Sequence, residues 1–472
     1  MRTVIASLAG VVCTGAAIAQ PDCTAYIPPV ALVAGGPLYI QDSAGWSIAI
    51  DGERVAVGDP YYASSALSPQ GWVYIYRRTS GGTWAREASL SGDTQAGLNL
   101  RMRNSLLVGR APYMAGGQGL FVYENQPPAH GTANWVRLGA LTPRYTANRG
   151  QNYQSGMDFD GTTLAVTNTV SWVHGFVSRV ELYTRDAGAP LRFVPAGSVL
   201  NPAGPVGDTF GSRVAVDGDI LVVGSPSASG GNPPRPRVEV FQNIDGVWTL
   251  AQSWEDPAGY RDGVTFGIDL AVKGDTLAYS VGHDPNTPDI AGQPPAEVRV
   301  YRRVAMAGQP DQWTLEQTLM LADGTTTDGF GGALAMKPDW LLVGAPNQSY
   351  TGLMSGALHL YSRSGTAWTH RATLARSDAA GARIGWSVAM TPDLIAAGAL
   401  GFQGRGAGFV FDECAQLPPG DATPACLPGI LGLYTFVNAW MSGSMFADFN
   451  RNGVLEVVDI FAYLEAWLAG CP

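Results

Sequence analysis

One phrase recurs along most of this chain and limits its fold more than any other feature. It reads GWSIAIDGERVAVGDP from Gly45, FGSRVAVDGDILVVGSP from Phe210, FGIDLAVKGDTLAYSVG from Phe266, FGGALAMKPDWLLVGAP from Phe330 and IGWSVAMTPDLIAAGA from Ile384. Two weaker copies, GLNLRMRNSLLVGRAP from Gly97 and SGMDFDGTTLAVTNT from Ser155, make seven. Each copy alternates apolar residues, turns at Asp-Gly or a similar pair, and runs into a second apolar strand, which is a hairpin in sequence form. A third strand follows a variable loop, as in GWVYIYRR, RVEVFQN or ALHLYSR, and a fourth carries Trp84, Trp135, Trp248, Trp313 or Trp368. Only 14% of residues are charged, while Gly (60) and Pro (32) are abundant, so turns between short strands outweigh long helices.

Seven four-stranded units predict an all-β seven-bladed β-propeller, in which each blade buries its faces against its neighbours. The recurring Trp then reads as blade packing; a rim of exposed aromatic sugar platforms is the functional alternative. The last copy stops at its third strand, GAGFVFDECAQ, and the segment CTAYIPPVALVAG before the first copy is an orphan with strand character. Pairing the orphan with the incomplete blade leaves no open sheet edge. Cys23 and Cys414 lie in those two segments, so a disulfide between them is expected to clasp the ring.

The N-terminus MRTVIASLAGVVCTGAAIAQ has one Arg, an apolar run and Ala17-Ile18-Ala19, the pattern of a signal peptide over 1–19. Val11-Val12 before Cys13 lacks the small residue that a lipoprotein cut requires. No other apolar run is long enough to span a bilayer. Export leaves 28 basic against 39 acidic residues, net −11, which argues against nucleic acid as a partner. It also leaves four cysteines, Cys23, Cys414, Cys426 and Cys471, in an oxidising compartment.

The phrases from Phe330 to Pro346 and from Phe210 to Pro226 resemble the FG-GAP repeat of integrin-α-type propellers, over roughly residues 21–416. That resemblance implies a binding or adhesion domain. Some repeats of the family carry a Ca²⁺ loop between the first two strands. Here those turns, Asp51-Gly52-Glu53, Asp217-Gly218-Asp219 and Lys273-Gly274-Asp275, are too short to wrap a cation needing six or more oxygens.

Fold does not decide between binding and catalysis. The five histidines, His130, His174, His283, His359 and His370, show no metal-ligand spacing. His359 inside the strand ALHLY and His370 just after a blade Trp read as structural or surface residues. No Gly-x-Ser-x-Gly elbow or full Asp-box is present. Asp158 and Asp160, or Asp323 and Asp328, read as hairpin-tip residues serving turn chemistry. A glycosidase built from two carboxylates distant in sequence would leave no trace in such a reading.

After propeller residues 20–416 and a Pro/Gly linker at 417–425, the text turns helical over 426–472. In DFNRNGVLEVVD, oxygens fall at Asp448, Asn450, Asn452, the Val454 carbonyl, Glu456 and Asp459, positions 1, 3, 5, 7, 9 and 12 of a calcium loop, with Gly453 at the sharp turn. Ile460, Tyr463, Leu464 and Trp467 follow at helical spacing as one apolar face. AWMSG at Ala439 repeats as AWLAG at Ala466, 27 residues on; the corresponding first loop has Cys426 at position 6 and Gly432 at position 12, so one Ca²⁺ is expected.

This duplicated loop-helix resembles dockerin, an EF-hand-like module. Its terminal Gly470-Cys471-Pro472 is similar to the Gly-Cys-Pro-ended anchors on exported proteins of planctomycete-like bacteria. The resemblance implies a cohesin-like or other envelope protein as partner, and pairing of Cys426 with Cys471 would pin the module's ends. The expectation is an exported, non-catalytic adhesion or scaffolding protein, secreted or on the cell surface, whose propeller takes a protein or glycan ligand. Its rivals are a secreted polysaccharide-active propeller enzyme and a purely structural envelope component.

Overall fold

The computed structural model describes residues 43–411, apart from 61–69, 80–82, 95, 115–116, 127–133, 142–150, 173–174, 203–208, 226–235, 256–263, 284–294, 322–323, 326, 376–379 and 393, together with Trp440 and 457–468. The expected signal peptide, the orphan segment, Cys23, Cys414, Cys426 and Cys471, and most of the predicted calcium loop lie outside the described residues.

The 27 described strands form seven antiparallel meanders, six of four strands and a seventh of three. Blades 1 and 2 join through one pair, Thr94 opposite Tyr113. The first strands, Ser47–Asp51, Leu100–Arg103, Gln151–Phe159, Arg213–Asp217, Val264–Lys273, Ala333–Lys337 and Ile384–Met390, each touch the first strand of both neighbours, the seventh meeting the first. The ring is therefore closed around a central channel, as the seven sequence copies predict.

The recurring phrase owes its glycines to this ring. Gly344 of blade 6 lies against Gly385 of blade 7, and Gly398 of blade 7 against Gly45 of blade 1. A Cβ on Gly344 or Gly398 would overlap its neighbour's carbonyl. Gly45 and Gly385 also have φ of +87° and +93°, a conformation that favours residues without a Cβ. The Phe of the phrase is the apolar wedge beside them. Phe210 and Phe330 are fully buried, each in a cluster that draws on two successive blades.

The fourth-strand tryptophans pack between blades as expected. Trp313 and Trp368 are buried; Trp84, Trp135 and Trp248 are half-buried against the same kind of cluster. Two seams add a polar clasp on the Trp backbone. Gln252 accepts from the Trp313 N–H at 2.7 Å and donates to its carbonyl at 3.0 Å. Gln317 does the same to Trp368, at 2.7 and 2.9 Å.

Blade 7 meets blade 1 through a parallel bridge between Ala44 and Gly406. The Ser387 hydroxyl donates to the Gly45 carbonyl at 2.9 Å, and the Trp46 and Trp386 rings lie 5.6 Å apart. Beyond the propeller, a helix covers Val457–Leu468. Of the predicted apolar face, Tyr463 is fully buried and Ile460 and Leu464 are half-buried, whereas Phe461, outside it, is 66% exposed; the side chain of Trp467 lies outside the described residues. Among the described residues, no helix is long and apolar enough to cross a membrane.

Candidate functional site

The seven first strands enclose a channel of about 860 Å³ whose wall carries both signs of charge, with Arg101, Arg213 and Lys273 beside Asp158, Asp217 and Asp269. These carboxylates have partners on the next blade. Asp158 accepts from Arg101 Nε at 2.6 Å and from the Val216 backbone N–H at 2.9 Å. Asp160 accepts from Gly218 N–H at 2.9 Å, and its other oxygen closes its own turn on Thr162 and Thr163, both at 2.7 Å. Asp217 takes the Gly274 N–H at 2.7 Å and Lys273 Nζ at 2.6 Å; Asp269 takes the Leu334 N–H at 2.7 Å.

The expectation that Asp158 and Asp160 serve turn chemistry therefore needs correction. Asp160 does so with one oxygen, but both residues also tie blade 3 to blade 4 by satisfying N–H groups on the neighbouring inner strand. Asp328 fits the turn reading, accepting from Thr325 N–H at 2.7 Å. Asp323 lies outside the described residues. Burial pushes the Asp269 carboxyl above the usual range, against the opposing charges of Arg213 and Arg101 and the N–H bond from Leu334.

The two ends of the ring differ. At one end the first and second strands are joined by tight turns such as Gly52-Glu53, Gly218-Asp219 and Gly274-Asp275. At the other lie the blade-to-blade connections and the links between second and third strands. In blades 4, 5 and 6 those links run over 226–236, 284–296 and 346–356. In blades 2 and 3 the strands themselves lengthen, Leu106–Met114 and Thr163–Trp172, and the link is two residues.

Blade 6 holds a pair that the sequence reading set aside. His359 on its third strand and His370 on its fourth place Nδ1 and Nε2 3.4 Å apart. His359 Nε2 is 2.8 Å from Gln348 Oε1, and Thr373 Oγ1 is 3.4 and 3.2 Å from the same two facing nitrogens. A buried His359 and an exposed His370 fit the structural and surface readings, but the two stand as a pair, which the sequence reading did not foresee. The hairpin register was the available signal: it sets His370 opposite Tyr361, two residues from His359 and on the same face. Burial pushes His359 down to about 3, with the neighbouring His370 adding to the effect. His370, though exposed as a residue, is also lowered, by desolvation of its ring.

Of the predicted calcium ligands, Asp448, Asn450, Asn452, Val454 and Glu456 lie outside the described residues. Asp459 falls in the first turn of the Val457–Leu468 helix. This is the position that the twelfth ligand of such a loop takes at the start of the exiting helix.

The architecture is that of a seven-bladed β-propeller. The FG-GAP repeat family matches residues 313–361, which run from the fourth strand of blade 5 through the third strand of blade 6. Among solved structures, the β-propeller domain of Myceliophteria thermophila Cps50 (Swd1) matches with a TM-score of 0.44 and 13% identity, over 80% of this chain and 98% of that one. The β-propeller domain of the Trilobed protease from Pyrococcus furiosus matches with a TM-score of 0.43 and 9% identity, over 79% and 96%. No curated protein matches the chain in sequence.

Proposed function

We propose that the chain is an exported, non-catalytic recognition protein: a propeller that presents a protein- or glycan-binding face, carried on a calcium-dependent dockerin-like anchor. The observation that carries this reading is the difference between the two ends of the ring. A rigid scaffold with its long connections gathered at one end is how loops acquire binding roles. The channel carboxylates add support, because Asp158, Asp160, Asp217 and Asp269 already serve as acceptors for the next blade.

For the anchor, the support is Asp459 in the first helical turn above a buried Tyr463. Asp448, Asn450, Asn452, the Val454 carbonyl, Glu456 and Asp459 would hold one Ca²⁺, which would fold the loop onto this helix. Cys23–Cys414 and Cys426–Cys471 are proposed as the clasps of ring and module. The partner of the anchor would be a cohesin-like envelope protein, and the location secreted or cell-surface.

The test presents the full chain to a glycan array and to envelope proteins, with calcium and with chelator. Capture by an envelope protein should be lost with chelator or with Asp448→Ala, while the propeller's own ligand stays bound. Turnover of a polysaccharide on the array would replace this reading with an enzymatic one.

A further inference from the structure

Blade 6 departs from its neighbours at two positions that the repeat fills otherwise. Where blade 6 has His359, the third strands of blades 4 and 5 have Glu239 and Arg299. Where it has His370, two residues past the Trp, their fourth strands have Leu250 and Leu315. The scaffold therefore does not demand imidazole at either place. The two rings converge with their facing nitrogens 3.4 Å apart. That is long for an N–H···N hydrogen bond of ordinary strength. It is the edge of a tetrahedron with metal–nitrogen bonds of 2.0–2.1 Å, about 3.3–3.4 Å.

The surroundings fit a metal ligand pair. Donation from His359 Nε2 to Gln348 Oε1 at 2.8 Å keeps the proton on that nitrogen and leaves the Nδ1 lone pair toward His370. Gln348 is itself fixed, because its carbonyl accepts from the Gly356 N–H at 2.9 Å and the Ser355 hydroxyl at 3.3 Å. The Thr373 hydroxyl faces both ligating nitrogens. Phe330 packs edge-to-face with His359, ring centroids 5.7 Å apart, and Tyr361 does so with His370 at 5.2 Å.

We propose that His359 Nδ1 and His370 Nε2 form an open site for a borderline-soft divalent transition metal, of the Zn²⁺ or Cu²⁺ class. The Thr373 hydroxyl and solvent complete the coordination. Two of its ligands are imidazole nitrogens, so the site is chemically distinct from the oxygen-only calcium loop. It stands at the loop end of blade 6 under the 346–356 connection, independent of what the propeller recognises.

The experiment is zinc titration calorimetry and Cu²⁺ electron paramagnetic resonance on the oxidised, calcium-saturated full chain. One equivalent should bind, with nitrogen couplings from two imidazoles. His370→Leu, which restores the residue of blades 4 and 5 and should fold normally, removes that equivalent. Gln348→Leu keeps it but weakens it by roughly 10- to 100-fold, the usual effect of losing an outer-shell partner. His283→Ala on blade 5 leaves it intact. An unchanged equivalent in His370→Leu, or Cu²⁺ bound without two nitrogen couplings, overturns the assignment.

Discussion

Two seams of the same ring are built differently. Where blade 6 meets blade 5, contacts run from the channel to the rim. Asp269 takes the Leu334 N–H, Phe330 fills the apolar layer, Gln317 clasps the Trp368 backbone, and Glu316 accepts from its indole at 2.9 Å. Where blade 1 meets blade 7, an apolar layer is also filled, by Ile48, Val57, Tyr74, Leu394 and Val410 with Trp84 packed against it, but the described polar ties stay near the channel: a hydroxyl on Gly45 and a single bridge, beside the Trp46–Trp386 pair. Blade 7 shows three strands among the described residues, so no fourth-strand clasp like that of Gln317 is described at this seam. Among the described residues, the inner strands and this apolar layer bring the ends of the ring together.

The largest expected effect tests that contrast directly. Trp368→Ala should cost about 3–5 kcal/mol, the usual penalty for emptying a buried Trp site. Trp386→Ala, at a half-buried position of the closing seam, should cost distinctly less. Urea denaturation of the full chain reads both. Equal losses would mean that the two seams carry equal apolar weight and would break the comparison.

The proposed Cys23–Cys414 bridge is the next test. Cys23→Ser should cost about 2–4 kcal/mol, as removal of a native disulfide does, and reductant should lower the wild type to the same level. Trp386→Ala should then cost more in the Cys23→Ser background, because both act on one seam. Peptide mapping that pairs Cys23 with Cys426 or Cys471 would defeat the clasp.

How much of this was readable in advance follows from where each partner lies. The hairpins, the Gly and Phe of the phrase and the fourth-strand Trp repeat their own pattern inside one blade, so periodicity reveals them. The carboxylate ties do not, since each donor is on another blade: Asp158 to Val216 spans 58 residues and Asp269 to Leu334 spans 65. Those separations are the repeat length itself. An Asp near the end of a first strand could therefore have been matched to the same place one copy later. His359 and His370 were missed for a different reason. Their separation of 11 residues carries no ligand spacing until the hairpin register brings them together.

The smallest effect concerns pH, and the seams predict two opposing contributions. At the seam of blades 4 and 5, hydrogen bonding from Arg303 holds Asp219 below the usual carboxylate range, against the effect of burial. At the seam of blades 5 and 6, burial alone would raise Asp275, but its bond to Thr276 and the charges of Arg363 and Arg302 outweigh that and lower it. Such depressed groups contribute stability that is present above the ordinary Asp value of about 4 and is lost as pH falls through their folded values. Asp269 is raised, so its sign is reversed: it weighs against folding as pH climbs from about 4 through its folded value, and that penalty is absent below. His359 and His370, both lowered by burial, also cost stability as pH falls from the ordinary His value of about 6.5. The carboxylate contributions are therefore read as differences from the wild type. Asp269→Asn should gain stability over the wild type at neutral pH, a gain that shrinks as pH falls toward about 4, while Asp219→Asn should lose stability at neutral pH, a loss that shrinks as pH falls through the folded value of Asp219. Thermal unfolding of the three proteins across this range separates the two. A difference for Asp269→Asn that does not change with pH would mean that the inner-strand tie between blades 5 and 6 is not where the buried charge is held.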